Sequence, residues 1–319
     1  MPKISVIMPA YNAEQYIGEA MDSILGQTFG DFEFIILNDC SADGTEEIIL
    51  SYDDPRIVYL KNERNLGVAA TLNRGLEMAR GEYIARMDAD DISLPHRFEK
   101  QIAYLDAHPE VAVLGTNAAI FSDDKTIQMT QVPETDRSIR FRMALSNPFI
   151  HPTIMMRRSM IAELSYEMEY EGREDYRFWM RVSQKYKVSN LRDCLLRYRI
   201  HKGQVTRRAD SKKKEKHFSL KKRYYQELQI GLTEPIETAL CWASFFGTVE
   251  APEQLRMLKT GLRKVAEYYG EKGFPKEYEN FLTSVAVNSK IGKLDKWKIT
   301  EGQPFVSRIA TVLRKDRRK

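Results

Sequence analysis

Residues 3–12, KISVIMPAYN, decide how this chain is read. A short apolar run with no polar alternation marks a strand buried on both faces, and such strands belong to parallel sheets. Pro9 and Asn12 end the run in a loop. Behind it, AEQYIGEAMDSILGQ (13–27) puts Tyr16, Ile17, Ala20, Ile24 and Leu25 on one helical face. The same unit then recurs. FEFIILND (32–39) is a strand, and CSADGTEEIILSY (40–52) is a turn opening a helix, with Ser41, Asp43 or Thr45 as its cap. RIVYLKN (56–62) is a third strand, and NLGVAATLNRGLEMARG (65–81) a loop and helix. EYIARMDAD (82–90) is a fourth strand, and PHRFEKQIAYLDAHP (95–109) a helix. Strand and helix alternating at these intervals predict an α/β fold, a mostly parallel, doubly wound sheet with flanking helices.

Further on, VAVLGTNAAIF (111–121) reads as a strand pair and residues 133–165 as irregular chain plus helix. REDYRFWMRVSQKY (173–186) is an amphipathic helix, and VSNLRDCLLRYRIH (188–201) a pair of short strands. After residue 208 the chain turns Lys-rich and helical. The expected organisation is therefore an α/β domain over 1–208 and a basic, mainly helical region over 209–319. Charge follows the same division. Residues 1–200 carry 23 Lys/Arg and 31 Asp/Glu, a net −8, whereas residues 201–319 carry 26 and 14, a net +12. An acidic half suits a cation, and a basic half suits phosphates or an anionic surface. No apolar run reaches the roughly 18–20 residues that span a bilayer, and no signal-peptide pattern opens the chain. Three cysteines without a CxxC spacing fit a reducing compartment, so a cytoplasmic protein is expected.

Ligands in such sheets bind beyond the carboxyl ends of the strands, so the loops at 9–14, 38–45 and 88–95 should converge on one cleft. The last contains Asp88, Asp90 and Asp91. Period-two alternation sends Asp88 and Asp90 to one face and Asp91 to the other, as a helix-entry residue. Paired carboxylates about a small residue suit Mg²⁺ or Mn²⁺ carrying phosphate ligands. By itself the pattern more often describes a solvated acidic turn, here one before the helix from Pro95. Arg86 shares the face of Asp88 and offsets the repulsion, either as an ordinary ion pair or toward a diphosphate.

Six motifs in order turn these fragments into a resemblance. They are SVIMPAYN (5–12), ILNDCSADGT (36–45), the stretch from Asn65 to Asp91, HPTIMMRR (151–158), REDYRFWMRV (173–182) and YRIHKGQVTRR (198–208). Over about residues 3–205 the chain resembles the family 2 glycosyltransferases of GT-A fold. That resemblance implies inverting transfer of a sugar from a nucleotide-diphosphate donor, usually a UDP-sugar, to an acceptor hydroxyl. Its setting would be bacterial surface-polysaccharide assembly, and its cofactor a divalent metal, Mn²⁺ or Mg²⁺. A sugar nucleotidyltransferase would need an early Gly-rich, Arg-bearing loop where this chain has PAYNAEQ. A dehydrogenase would need G-x-G-x-x-G after the first strand. A non-catalytic nucleotide-sugar-binding module would be expected to lose the metal or base carboxylates.

The resemblance also assigns residues. Pro9, Ala10, Tyr11, Asn12 and Glu14 line the nucleoside pocket, with Glu14 accepting from ribose. Asp39 accepts the imide N–H of the base. Asn65, Gly67, Arg86, Ala89, Arg199 and Lys202 lie along the donor. Asp90 holds the metal, Asp88 meets the ribose or the metal, and His201 completes the metal shell or touches the diphosphate. Asp175 is the base that takes the acceptor's proton, and its place at a helix start is expected to lower its pKa and keep it ionised. Glu174 orients the base or binds the acceptor, and Trp179 either lines the acceptor side or, as the default reading, packs in the core. His151 either packs or meets the acceptor. The acceptor is expected to be a saccharide, polyprenyl-diphosphate-linked in many relatives of this kind. The carboxy-terminal PFVSRIATVLRKDRRK (304–319) has the form of an interfacial helix on an anionic membrane, or of a docking helix with a basic tail. No nucleic acid partner is expected.

Overall fold

The computed structural model describes residues 1–123, 125–201, 212–271 and 275–289. Its first elements follow the alternation: β1 (Ile4–Ala10), α1 (Ile17–Leu25), β2 (Phe32–Asn38), α2 (Thr45–Leu50), β3 (Ile57–Lys61), α3 (Val68–Met78) and β4 (Tyr83–Arg86). Strand β1 lies between β2 and β4, parallel to both, and β3 extends the parallel order beyond β2. Every residue of β2 and β4 is buried, which is why these strands lack polar alternation. The C-terminal ends of β1, β2 and β4 thus reach one edge at Ala10, Asn38 and Arg86.

Next come β5 (Ile92–Ser93), α4 (Arg97–Ala107), β6 (Val111–Ser122), β7 (Lys125–Met129) and α5 (Asp136–Met143). They are followed by β8 (Met155–Arg157), α6 (Arg158–Ile161), α7 (Glu174–Lys185) and β9 (Lys187–Arg199). Among the described residues the sheet runs β3-β2-β1-β4-β8-β6-β9-β5, with β7 paired to β6. Beyond β4 it becomes mixed. β8 is antiparallel to β4 and β6, β6 is parallel to β9, and β5 is antiparallel to β9. Residues 111–121 form one strand rather than the expected pair, and 188–199 likewise belong to a single long strand. Their pairing shifts register at Val111/Val113 and on both sides of Asn117, irregularities that bend long strands without ending them.

The described chain divides into two compact units, residues 1–139 with 147–201, and residues 140–146 with the helices from residue 212. The second unit contains α8 (Lys213–Glu227), α9 (Glu234–Phe246), α10 (Pro252–Tyr268) and α11 (Lys276–Asn288). Within it, Tyr225 donates to the Ala144 carbonyl at 2.7 Å and Lys221 to that of Met143 at 3.2 Å. Phe141 meets the rings of Tyr269 and Tyr278. No helix among the described residues is long and apolar enough to cross a membrane. The proposed interfacial helix at 304–319 lies outside the described residues.

A buried polar knot holds the far end of the parallel strands. Ser5 Oγ donates to Glu33 Oε1 at 2.6 Å and accepts the Gly81 N–H at 2.8 Å, while Arg80 donates to Glu33 through backbone and side chain. Gly81 is there because nothing larger fits. A Cβ at this position would sit 2.5 Å from Ser5 N and 2.6 Å from Ile4 C, both backbone atoms. Gly81→Ala is expected to cost about 1–3 kcal/mol, read as a lower urea midpoint; an unchanged midpoint would refute this account of the knot.

Candidate active site

The first two strand-end loops are tied together by their own polar groups. Asn12 adopts φ of 50°, a left-handed conformation that Asn tolerates, and Cys40 a similar one at 60°. Asn12 Oδ1 accepts the Ala42 N–H at 2.9 Å, its N–H reaches Ser41 Oγ, and the Ala13 N–H reaches Thr45 Oγ1. Glu14 accepts the Gly44 N–H at 2.7 Å, so its carboxylate stands at the start of α2. That contact differs from the ribose contact expected of it. Tyr11 is exposed beside these ties, Pro9 is half-buried, and the buried Ala10 accepts the Asp39 N–H.

Asp39 is buried, and its partners lie in the third loop. Oδ1 accepts from Asn62 Nδ2 at 2.7 Å and from Leu66 N at 2.8 Å, and Oδ2 accepts from Gly67 N at 3.0 Å. The next two amides, Val68 N and Ala69 N, donate to Glu171. Four successive N–H groups at the start of α3 thus end on two carboxylates, as the helix dipole favours. Gly67 is required at this junction. Its φ is 87°, and a Cβ there would come within 2.9 Å of Glu171 Oε1. Asn65 is exposed on the same loop.

The carboxylate cluster is real, with one member more than expected. Ligand oxygens of Asp88, Asp90 and Asp91 lie within 4.8 Å of one another. Strand alternation fails for Asp91 because β4 ends at Arg86 and residues 89–90 form a turn, with Ala89 buried in it. Asp91 is accordingly buried in the cluster rather than placed at a helix entry, since α4 begins only at Arg97. Its Oδ1 accepts the Arg199 N–H at 2.8 Å, and its Oδ2 is buried without a hydrogen-bond partner. Burial, then repulsion from Asp88, raises the pKa of Asp90 despite the opposing effect of His201. Burial and both neighbouring carboxylates raise Asp91 far more. Hard oxygen donors, mutual repulsion and an orphaned buried oxygen together fit a divalent cation such as Mg²⁺ or Mn²⁺.

Around the cluster, His201 Nε2 lies 2.9 Å from Asp90 Oδ2, with its ring against Tyr16. Arg199 braces the site: its guanidinium bonds the Asp90 carbonyl and Glu19 and lies over the rings of Tyr16 and Phe121. This geometry differs from the phosphate contact expected of it. Lys202 lies outside the described residues. Arg86 is buried and paired with Asp88, while its Nε and Nη1 have no hydrogen-bond partner. Arg97, fully buried, donates to the carbonyls of Arg86 and Ile154 and so clasps the end of β4 to the residue before β8.

The charge of Arg86 also acts on a second group of residues. It opposes the burial that raises the pKa of Asp175 and of Tyr166, and adds to the burial that depresses that of His151. His151 pairs with Tyr166 Oη at 3.1 Å, so here it is a packed, neutral ring. Asp175 accepts the Tyr176 N–H and Asn147 Nδ2, both at 2.6 Å. Its pKa is raised, contrary to the expectation from its helix start: burial outweighs the Tyr176 and Asn147 hydrogen bonds and the charges of Arg86 and Arg173. Glu174 is buried, accepts the Gly172 N–H at 2.6 Å, and is pushed up to about 8 by burial and by Asp175. Trp179 is fully buried against Phe149, His151 and Phe178. It is a core residue, not an acceptor-facing one, and Glu174 is likewise turned inward. Asn147, Glu171 and Arg97 were missed from sequence. Only Glu171 carried a signal, as one of five acidic residues between 167 and 175.

Comparison with known proteins bears on the family and the fold. A family model described as glycosyl transferase family 2 matches residues 5–165, half of the chain. The uncharacterized glycosyltransferase MJ1057 of Methanocaldococcus jannaschii is 37% identical over 206 residues, covering 62% of this chain and 71% of the relative. The O-antigen biosynthesis glycosyltransferase WbnJ of Escherichia coli is 32% identical over 206 residues, covering 62% and 80%. Among solved structures, S. aureus TarS 1–349 in complex with UDP-GlcNAc superposes with a TM-score of 0.62 at 21% identity. That match covers 88% of this chain and 83% of TarS, and it supports the GT-A fold.

The elevated Glu174 pKa has a thermodynamic consequence. The side chain ionises near 4.5 when unfolded and near about 8 when buried, so the folded protein binds an extra proton between those values. Stability should therefore fall as pH climbs through that window. Glu174→Gln should flatten the decline in urea unfolding free energy between about pH 5 and about pH 8; an unaltered slope would locate the proton elsewhere.

Proposed function

Given that the chain belongs to glycosyl transferase family 2, we propose that it moves a sugar, with inversion, from a UDP-sugar to a saccharide hydroxyl in surface-polysaccharide assembly. The observation that carries this reading is the placement of Arg86, which pairs with the Asp88–Asp90–Asp91 cluster on one side and acts electrostatically on Asp175 on the other. A leaving-group site and a proton acceptor within the range of one charge are what a single-displacement transfer needs.

Each part of the site then has a task. The acceptor oxygen forms its bond to the anomeric carbon as the bond to the diphosphate breaks, and its proton passes to an Asp175 carboxylate oxygen. The raised pKa of Asp175 makes it a stronger base than a solvated carboxylate. Asp39 keeps acceptor capacity on Oδ2, which takes a single amide, and this supports recognition of the uracil imide N–H. Tyr11, exposed next to it, offers a ring to the base. Asp88, Asp90 and Asp91 are the residues that would hold a divalent cation, with His201 orienting Asp90. When bound, such a cation supplies Lewis-acid stabilisation of the departing diphosphate. The O-antigen role named for WbnJ supports the polysaccharide setting, in which a polyprenyl-diphosphate-linked acceptor would bring the protein to the inner face of the membrane.

UDP release from a panel of UDP-hexoses, with Mn²⁺ or Mg²⁺ and saccharide acceptors, tests the activity. Asp175→Asn is expected to lower turnover by about 10²–10⁴-fold, with UDP binding by calorimetry unchanged; retained turnover would refute the assignment. Asp90→Ala should abolish the gain in UDP affinity on adding Mn²⁺. Equal UDP affinity with and without Mn²⁺ in the parent protein would remove the metal from the scheme.

A further inference from the structure

The position of Asn147 carries a role that the motifs do not assign. Its side chain is held at both ends. Oδ1 accepts the Phe149 N–H at 3.2 Å, which leaves Nδ2 to face Asp175 Oδ2 at 2.6 Å. The amide orientation is therefore set by its own backbone and not by an arbitrary choice of N and O. The segment is also locked onto α7 one turn further along. Phe149 is buried with its ring edge-on to Trp179, 5.5 Å between centroids, and Trp179 lies four residues after Asp175. From β9, Asn190 Nδ2 donates to the Pro148 carbonyl at 3.3 Å. Pro148 removes a backbone torsion between the two contacts. Residues 147–149 thus grip α7 at two points, a hydrogen bond at Asp175 and a ring contact at Trp179.

We propose that Asn147 is the positioning residue for Asp175: it fixes the carboxylate's rotamer and directs one oxygen's remaining lone pair toward the acceptor proton. This rests on the reading of Asp175 as the base. The two carboxylate oxygens are distinguished by their donors, Tyr176 N–H on Oδ1 and Asn147 on Oδ2, so neither is free to swing away. The charged groups acting on Asp175 are Glu174 and Arg173 from its own segment and Arg86 from β4, with the phenol of Tyr166 nearby. Beside these charges stand two neutral donors that favour the ionised carboxylate, the Tyr176 N–H and the Asn147 amide, and of the two the Asn147 amide is the side chain.

The test is the pH profile of kcat, with donor binding measured separately. Asn147→Ala removes one hydrogen bond to the charged form, so the acid limb should move to higher pH and kcat fall by about 10–100-fold. Asn147→Asp keeps the volume but sets a second carboxylate against the first, so its acid limb should lie higher still. UDP affinity by calorimetry should match the parent for both. A packing role alone would lower thermal stability without this ordered displacement. Acid limbs that coincide for parent, Ala and Asp variants, with Asp175→Asn inactive, would overturn the positioning role and leave the base assignment standing. An active Asp175→Asn would overturn both.

Discussion

One buried guanidinium conditions the rest of the site. Arg86 ends β4 with its charge away from water, paired with Asp88 and within range of Asp90, Asp91 and Asp175. Without it, three clustered carboxylates would sit at the end of a fully buried strand, opposed among the described residues by His201, the Arg199 N–H and the more distant charge of Arg97. Burial of like charges at this density is tolerated only where a counter-charge is fixed. Arg86 is fixed because Arg97 beneath it holds its carbonyl, and because β4 is enclosed between β1 and β8. The repulsion that remains raises Asp90 and Asp91, an electrostatic imbalance of the sign a cation relieves.

A second constraint shapes the cleft through backbone amides. The start of α3 presents free N–H groups, and the fold directs one carboxylate at them from β2 and another from the segment before α7. Asp39 and Glu171 thereby join the loop after β3 to the two regions that carry the proposed nucleotide and base functions. Neither carboxylate is a spectator cap, since each sits next to a residue with a proposed chemical role. Glu171 precedes Glu174, the first residue of α7, by three positions.

Much of the fold was legible because the first hundred residues repeat one pattern. KISVIMPAYN, FEFIILND and EYIARMDAD lack polar alternation for the same reason, burial on both faces, and each is followed by a helix-period segment. The reading weakened where that regularity ends. Residues 111–121 and 188–201 contain polar interruptions that look like strand breaks, but they are irregularities inside long paired strands. The candidate site divides similarly. Asp39, Asp88, Asp90 and Arg86 stand at strand ends and could be placed by counting. Asp91 was misplaced because a turn reverses the alternation there, and of the two readings open for Trp179 the core one holds.

The sequence by itself determined the order of strands and helices in the first hundred residues, the carboxylates gathered at the strand ends, and the family to which the motifs belong. These are properties of local periodicity and of residue type, which a linear chain records directly. Tertiary structure decided which oxygens meet: Asp91 with its two neighbours, Glu171 with the amides of α3, Asn147 with Asp175. It also decided the sign of the Asp175 pKa, where the helix start argued for a lowered value and burial reversed it. Contacts between residues 28 or 103 positions apart, and the desolvation they impose, arise from packing and leave no trace in local pattern.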